Sequence, residues 1–167
     1  ILKKYGYNIS KTTEKEIKTP PFWIDMTKLF ELYVFKLLRK EFPVSKELFY
    51  HKKYHGLEPD YILNSKIRNI KMIIDAKYKP HYKDNNISLD DARQISGYAR
   101  LKAVYNEFGF KKEDKVNEII DCLVIYSDQT IIEDINIEKS FENKKEDGKY
   151  QNFYKFGIRL PVIEIIK

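Results

Sequence analysis

One cysteine, Cys122, stands in a chain of 167 residues. A lone thiol excludes an intrachain disulfide framework and a zinc centre built on clustered cysteines, and it fits a reducing cytoplasm. Long apolar runs are missing as well. None approaches the about 18 to 20 residues that a membrane-spanning helix requires. The opening stretch, ILKKYGYNISKTTEKEIK, lacks the basic, apolar, small-residue order of a secretory signal. It also lacks an initiator Met, so the sequence reads as a piece of a longer protein. There is no G-x-x-x-x-G-K-[ST] loop, and nucleotide hydrolysis is therefore expected from another protein. No Ser-His-Asp or Cys-His arrangement and no aromatic RNA-binding pattern is evident. His51, His55 and His81 are scattered and suggest no zinc site.

What is present is positive charge, apolar bulk and aromatic rings. Formal net charge is +6, with 13 Tyr and 10 Phe. An excess of Lys and Arg favours a polyanionic partner such as DNA, although a lysine-rich composition also follows from an AT-rich genome. The length suits one domain with a real core. Residues 1–19 read as a linker or the tail of an upstream region, and residues 20–167 as the domain.

Within FWIDMTKLFELYVFKLLRKEF, apolar residues recur at helical spacing from Met26 to Leu38, and Pro43 ends the run. KELFYHKKY predicts a short strand. EPDYIL and IKMIIDAKY predict a hairpin, with NSKIRN as its turn. A second helix is expected from Ser88 to Phe108, with Ser88 as its cap and Gly109 closing it. DCLVIYSD has strand length, IEKSFENKKEDGKYQ reads as a solvated loop, and FYKFGIRLPVIEII as one or two strands broken at Pro161. Helix, three strands, helix and further strands describe a mixed α/β domain.

Residues 58–78, EPDYILNSKIRNIKMIIDAKY, put charges inside the most strand-like part of the chain. Side chains alternate across a strand, so Asp75 and Lys77 share a face with Ile73, while Ile74 and Ala76 take the other. A hairpin brings Asp60 beside Asp75. Two close carboxylates repel unless something positive lies between them, and a hard divalent ion such as Mg²⁺, with its oxygen ligands, answers that need. Taken alone, Asp75 and Lys77 also read as a solvent-facing pair of little energetic weight. The E-P-D stretch ahead of an apolar strand carrying D-A-K is the more specific pattern. Glu58 lies on the Asp60 face as a reserve ligand.

Pro59-Asp60 followed by Asp75-Ala76-Lys77 resembles the PD-(D/E)XK nuclease motif. Gln94-Ile95-Ser96-Gly97-Tyr98 resembles the Gln-x-x-x-Tyr motif of RecB-like members, and Glu31 stands where such nucleases carry an acid on the first helix. IDMTKLFELYV, PDYIL, IIDAKYK and DARQISGYAR together resemble the nuclease domain of McrC, the cleavage subunit of 5-methylcytosine and LlaJI-type restriction systems, over roughly residues 20–165. The resemblance implies a restriction-endonuclease-like α/β core with a mixed central sheet flanked by helices. It implies a Mg²⁺-dependent endonuclease, with Mn²⁺ expected to substitute. Asp60, Asp75 and the Ala76 carbonyl would hold the metal, Glu31 would join them directly or through water, and Lys77 would be the catalytic lysine. Gln94 and Tyr98 would sit near the scissile phosphate or hold Lys77, although Tyr98 also lies at core spacing with Leu101 and Tyr105.

The implied partners are DNA and an McrB-like AAA+ GTPase, the latter engaged through an N-terminal region this sequence lacks. Double-strand cleavage implies two copies, and no membrane is involved. Lys79, Lys83, Arg93, Arg100 and Lys102 flank the site and are candidate phosphate contacts; a solvated helix face explains any one of them equally well. Two rivals stand beside this reading. A RecB-like exonuclease is disfavoured in its iron-sulfur form by the single Cys, and a catalytically silent DNA-binding or assembly module is disfavoured by intact Asp60, Asp75 and Lys77.

Overall fold

A computed structural model describes residues 23–79, 87–111, 118–130, 145–146 and 148–161. Residues 1–19, Lys83, most of 137–151 and the final apolar run from 162 onward lie outside them, so the readings placed there go no further.

The first helix, α1 (Met26–Glu41), starts at Asp25, whose side chain accepts a hydrogen bond from the Lys28 amide at 3.1 Å. Arg39 and Lys40 in its last turn suit the negative end of the helix dipole. Phe30, Val34 and Leu38 recur every fourth residue and are fully buried, which fixes the face that α1 turns to the sheet. Leu38→Ala is expected to cost about 2 to 4 kcal/mol, since a rigid sheet cannot close over the lost side chain. Urea unfolding followed by circular dichroism measures it.

Behind α1 come β1 (Leu48–Tyr50), β2 (Tyr61–Ser65) and β3 (Ile70–Lys77). They pair antiparallel in sequence order, with Tyr61 opposite Ile74 and Ser65 opposite Ile70. Asn69, at φ 52, takes the left-handed conformation that ends the β2–β3 turn. Two helices, α2 (Leu89–Ala99) and α3 (Lys102–Glu107), lead to β4 (Asp121–Ser127), which lies parallel to β3. The sheet is completed by β5 (Lys145–Glu146) and β6 (Phe153–Ile158), in the order β1-β2-β3-β4-β6-β5. It is a mixed α/β sheet flanked by helices, as the sequence pattern implies.

Two expectations need correction. The stretch 88–108 is not one helix. Arg100 closes α2, and Leu101, with extended backbone at ψ 125, opens α3. The break brings Val104 and Phe108 down onto the same apolar cluster as Ile95 and Ala99. The charged stretch 137–151 is not all loop, because Lys145 and Glu146 pair with Lys155 and Tyr154 at the sheet edge.

The sheet is covered on both faces. Tyr61, Leu63, Met72, Ile74 and Ala76 pack with α1. Ile62, Ile73, Cys122 and Val124 pack with α2 and α3. The alternation along β3 therefore assigns Asp75 and Lys77 to the α2 side, where Ile73 also points. Among the described residues, no helix is long and apolar enough to cross a membrane.

Candidate metal centre

The charged residues of the hairpin meet at one end of the sheet. Asp60 immediately precedes β2, and continuing the Tyr61–Ile74 register sets it across from Asp75. Its Oδ2 accepts a hydrogen bond from the Ala76 amide at 2.8 Å, so a side chain extends the ladder where backbone pairing stops. Asp75 is 1 % exposed, and neither of its oxygens receives a well-directed hydrogen bond from the described residues. The Lys77 ammonium stands 2.8 Å from Asp75 Oδ2 but off the hydrogen-bonding direction.

The electrostatics follow from this crowding. Burial pushes the Asp75 carboxyl up, the neighbouring Asp60 charge adds to it, and Lys77 only partly offsets them, leaving the group at about 7. Asp60 is also held above the usual carboxylate range, by burial first and by Glu31, against the restraining Ala76 hydrogen bond. Burial alone would lower Lys77, but the charge of Asp75 and its contact more than compensate, so the lysine is held above its ordinary value and stays an ammonium.

Lys77 is aimed by α2. Its Nζ donates to Gln94 Oε1 at 3.0 Å, and Gln94 Nε2 donates to the Tyr98 hydroxyl at 3.1 Å. One helical turn separates Gln94 and Tyr98, so they share a face. Tyr98 is half-buried against the α2 cluster, and its packing and polar readings coexist.

Glu31, on α1, reaches the site from the opposite face of the sheet. Its carbonyl accepts from the Tyr61 hydroxyl at 2.6 Å. Its carboxylate meets His51, a residue the sequence pattern left aside: Glu31 Oε2 is 2.9 Å from His51 Nε2. On the far side of that ring, Nδ1 is 2.9 Å from Glu58 Oε1, so Glu58 helps to orient the histidine. Among the described residues, Glu31, His51 and Asp60 form a group whose ligand atoms all lie within 4.8 Å of one another. No local motif announces His51. Its partners lie 20 residues before it and 7 after it, and only the folded hairpin joins them.

The basic candidates separate. Lys79 is drawn into an ion pair with Asp91 at 2.6 Å. Asp91 also accepts from Ser88, and these contacts hold it below the carboxylate range although burial acts the other way. Arg93 is exposed, with Asp90 at 3.6 Å beside it. Arg100 and Lys102 are exposed at the α2–α3 break.

Comparison with known proteins adds three findings. A family model described as McrBC 5-methylcytosine restriction system component matches residues 1–108. No curated protein sequence matches the chain. A chain in a solved assembly of Thermococcus gammatolerans McrB AAA+ hexamers with bound McrC superposes at a TM-score of 0.51, with 18 % identity over 86 % of this chain. The present chain spans 31 % of that one, so the likeness concerns the fold.

Proposed function

From its membership of the McrBC 5-methylcytosine restriction system component family, we propose that the chain is a divalent-metal-dependent DNA endonuclease domain of the PD-(D/E)XK type. One observation carries the proposal: the buried Asp75 carboxylate has no well-directed donor among the described residues, beside a second acid just before the adjoining strand. Two acids and one lysine leave this pocket short of positive charge, and the oxygen-rich donor set suits Mg²⁺ or Mn²⁺. Asp60, Asp75 and the Ala76 carbonyl would hold the ion. When bound, it lowers the pKa of a coordinated water and supplies charge to a phosphoryl oxygen.

The protein groups do the rest. Lys77, kept protonated by Asp75, acts as a fixed positive charge toward the phosphate and orients the attacking water; it is not a general base in this state. Gln94 fixes where the ammonium lies, and Tyr98 fixes which way the Gln94 amide faces. Arg93, Arg100 and Lys102 supply exposed charge for DNA phosphates, whereas Lys79 serves Asp91 first. The solved assembly of McrB AAA+ hexamers with bound McrC supports an McrB-like AAA+ partner that licenses cutting, and cleavage of both strands calls for two copies of the site.

The test combines calorimetric titration of Mg²⁺ and Mn²⁺ with a supercoiled-plasmid assay, on wild type and Asp60→Ala. Binding and metal-dependent nicking, both lost in the variant, are expected. DNA binding with neither metal uptake nor cleavage, with and without the AAA+ partner, would move the protein to the silent-module reading.

A further inference from the structure

The Asp60–Asp75 pair does not exhaust the ligands at this end of the sheet. We propose that Glu31, His51 and Asp60 form a mixed nitrogen–oxygen metal site that prefers a divalent first-row transition ion to Mg²⁺. This deepens the nuclease reading and rests on it only for the use to which the ion is put.

The histidine is built as a ligand is built. Its backbone sits at φ 50, in the left-handed region that few non-glycine residues occupy. Three contacts hold it there. The His51 amide donates to the Asp60 carbonyl at 2.9 Å, the ring meets Tyr50 edge-on with centroids 4.2 Å apart, and Nδ1 is tied to Glu58 at 2.9 Å. Both ring nitrogens face a carboxylate, which can only accept, but the Lys28 ammonium beside Nε2 can only donate, and it selects the neutral tautomer with its proton on Nδ1 toward Glu58 and a lone pair on Nε2. A carboxylate behind the ring, fixing the tautomer and raising the basicity of the other nitrogen, is the usual support of a metal-binding histidine.

A cation already lies at this point. Lys28 Nζ is 2.8 Å from His51 Nε2 and 3.0 Å from Glu31 Oε2. Two acceptors 2.9 Å apart converge on one ammonium. That separation is also the about 3 Å expected between neighbouring ligands of an octahedral ion bound at about 2.1 Å. The Lys28 side chain is 46 % exposed, and an outward swing away from Glu31, His51 and the Tyr50 ring would leave its two acceptors to an ion that Asp60 also reaches. An imidazole nitrogen in the set shifts preference from Mg²⁺, which takes oxygen ligands, toward first-row transition ions.

Mn²⁺ is the probe, because it is paramagnetic and an imidazole nitrogen bound to it modulates its electron spin echo. Wild-type protein is expected to bind Mn²⁺ at least tenfold more tightly than Mg²⁺ and to show one directly bound ¹⁴N, which changes to the ¹⁵N pattern on histidine labelling. His51→Ala should lose that signal, with circular dichroism confirming the fold. Lys28→Met should tighten Mn²⁺ about tenfold by removing the competing ammonium. Asp75→Asn should keep the nitrogen signal even where cleavage is gone, which separates this site from the nuclease reading. Bound Mn²⁺ without a nitrogen signal, or no Mn²⁺ uptake at millimolar concentration even in Lys28→Met, would overturn the proposal.

Discussion

Asp75→Asn is expected to lower metal-dependent DNA cleavage at least 1000-fold while making the metal-free protein more stable at pH 8. The two effects have one cause. A carboxylate buried beside Asp60 without a well-directed donor is costly when charged, and its pKa of about 7 records that cost. Relative to an ordinary carboxylate, the displacement corresponds to roughly 4 kcal/mol. Asn keeps the shape and removes the charge, but Lys77 loses its partner, so a net gain of about 1 to 2 kcal/mol is expected. The pH dependence has a definite sign. The folded-state pKa is raised, so the stability contributed by neutral Asp75 is present in acid and is lost as pH rises through about 7. The advantage of the Asn variant should therefore shrink toward pH 5. Urea unfolding at pH 5 and pH 8 in EDTA, beside plasmid cleavage with Mn²⁺, measures both halves. An Asp75→Asn protein no more stable at pH 8 than at pH 5, relative to wild type, would contradict this account of the carboxylate.

Lys77→Met is expected to reduce cleavage at least 100-fold with Mn²⁺ affinity changed by less than about threefold. The metal-free protein should lose about 2 to 4 kcal/mol, because removing one member of a buried pair leaves the other uncompensated. With affinity so little changed, saturating Mn²⁺ should stabilise wild type and variant by nearly the same amount, and the deficit should persist. Thermal melts with EDTA and with Mn²⁺ measure this; a markedly smaller metal-induced gain in the variant would mark a lysine that shapes the metal site. If metal binding disappears together with turnover, Lys77 shapes the site instead of acting in it.

The chain discloses the hairpin and its two acids because both obey local rules. Period-two alternation assigns Asp75, Lys77 and Ile73 to one face, and that face is where Gln94 waits. The α1 face is legible for the same reason, in the four-residue recurrence of Phe30, Val34 and Leu38. The α2–α3 break was not legible, because the apolar spacing runs on past Leu101 and the turn is made by backbone geometry. The two-residue β5 is too short for any alternation to register. His51 is the instructive miss. Its role depends on Glu31, Glu58, Asp60 and a left-handed backbone, which belong to separate elements and meet only through tertiary packing.

The deep burial of Asp75 also has a kinetic side. With α1 packed over one face of β3 and α2 over the other, the carboxylate is almost fully buried, and Asp60 and Lys77 stand beside it at the end of the sheet. An ion bound there would enter and leave beside an ammonium that repels it. Exchange at Asp75 should therefore be slow for its affinity, with a chelator stripping the site gradually, whereas the exposed Lys28 leaves the His51 side open to rapid turnover of its ion.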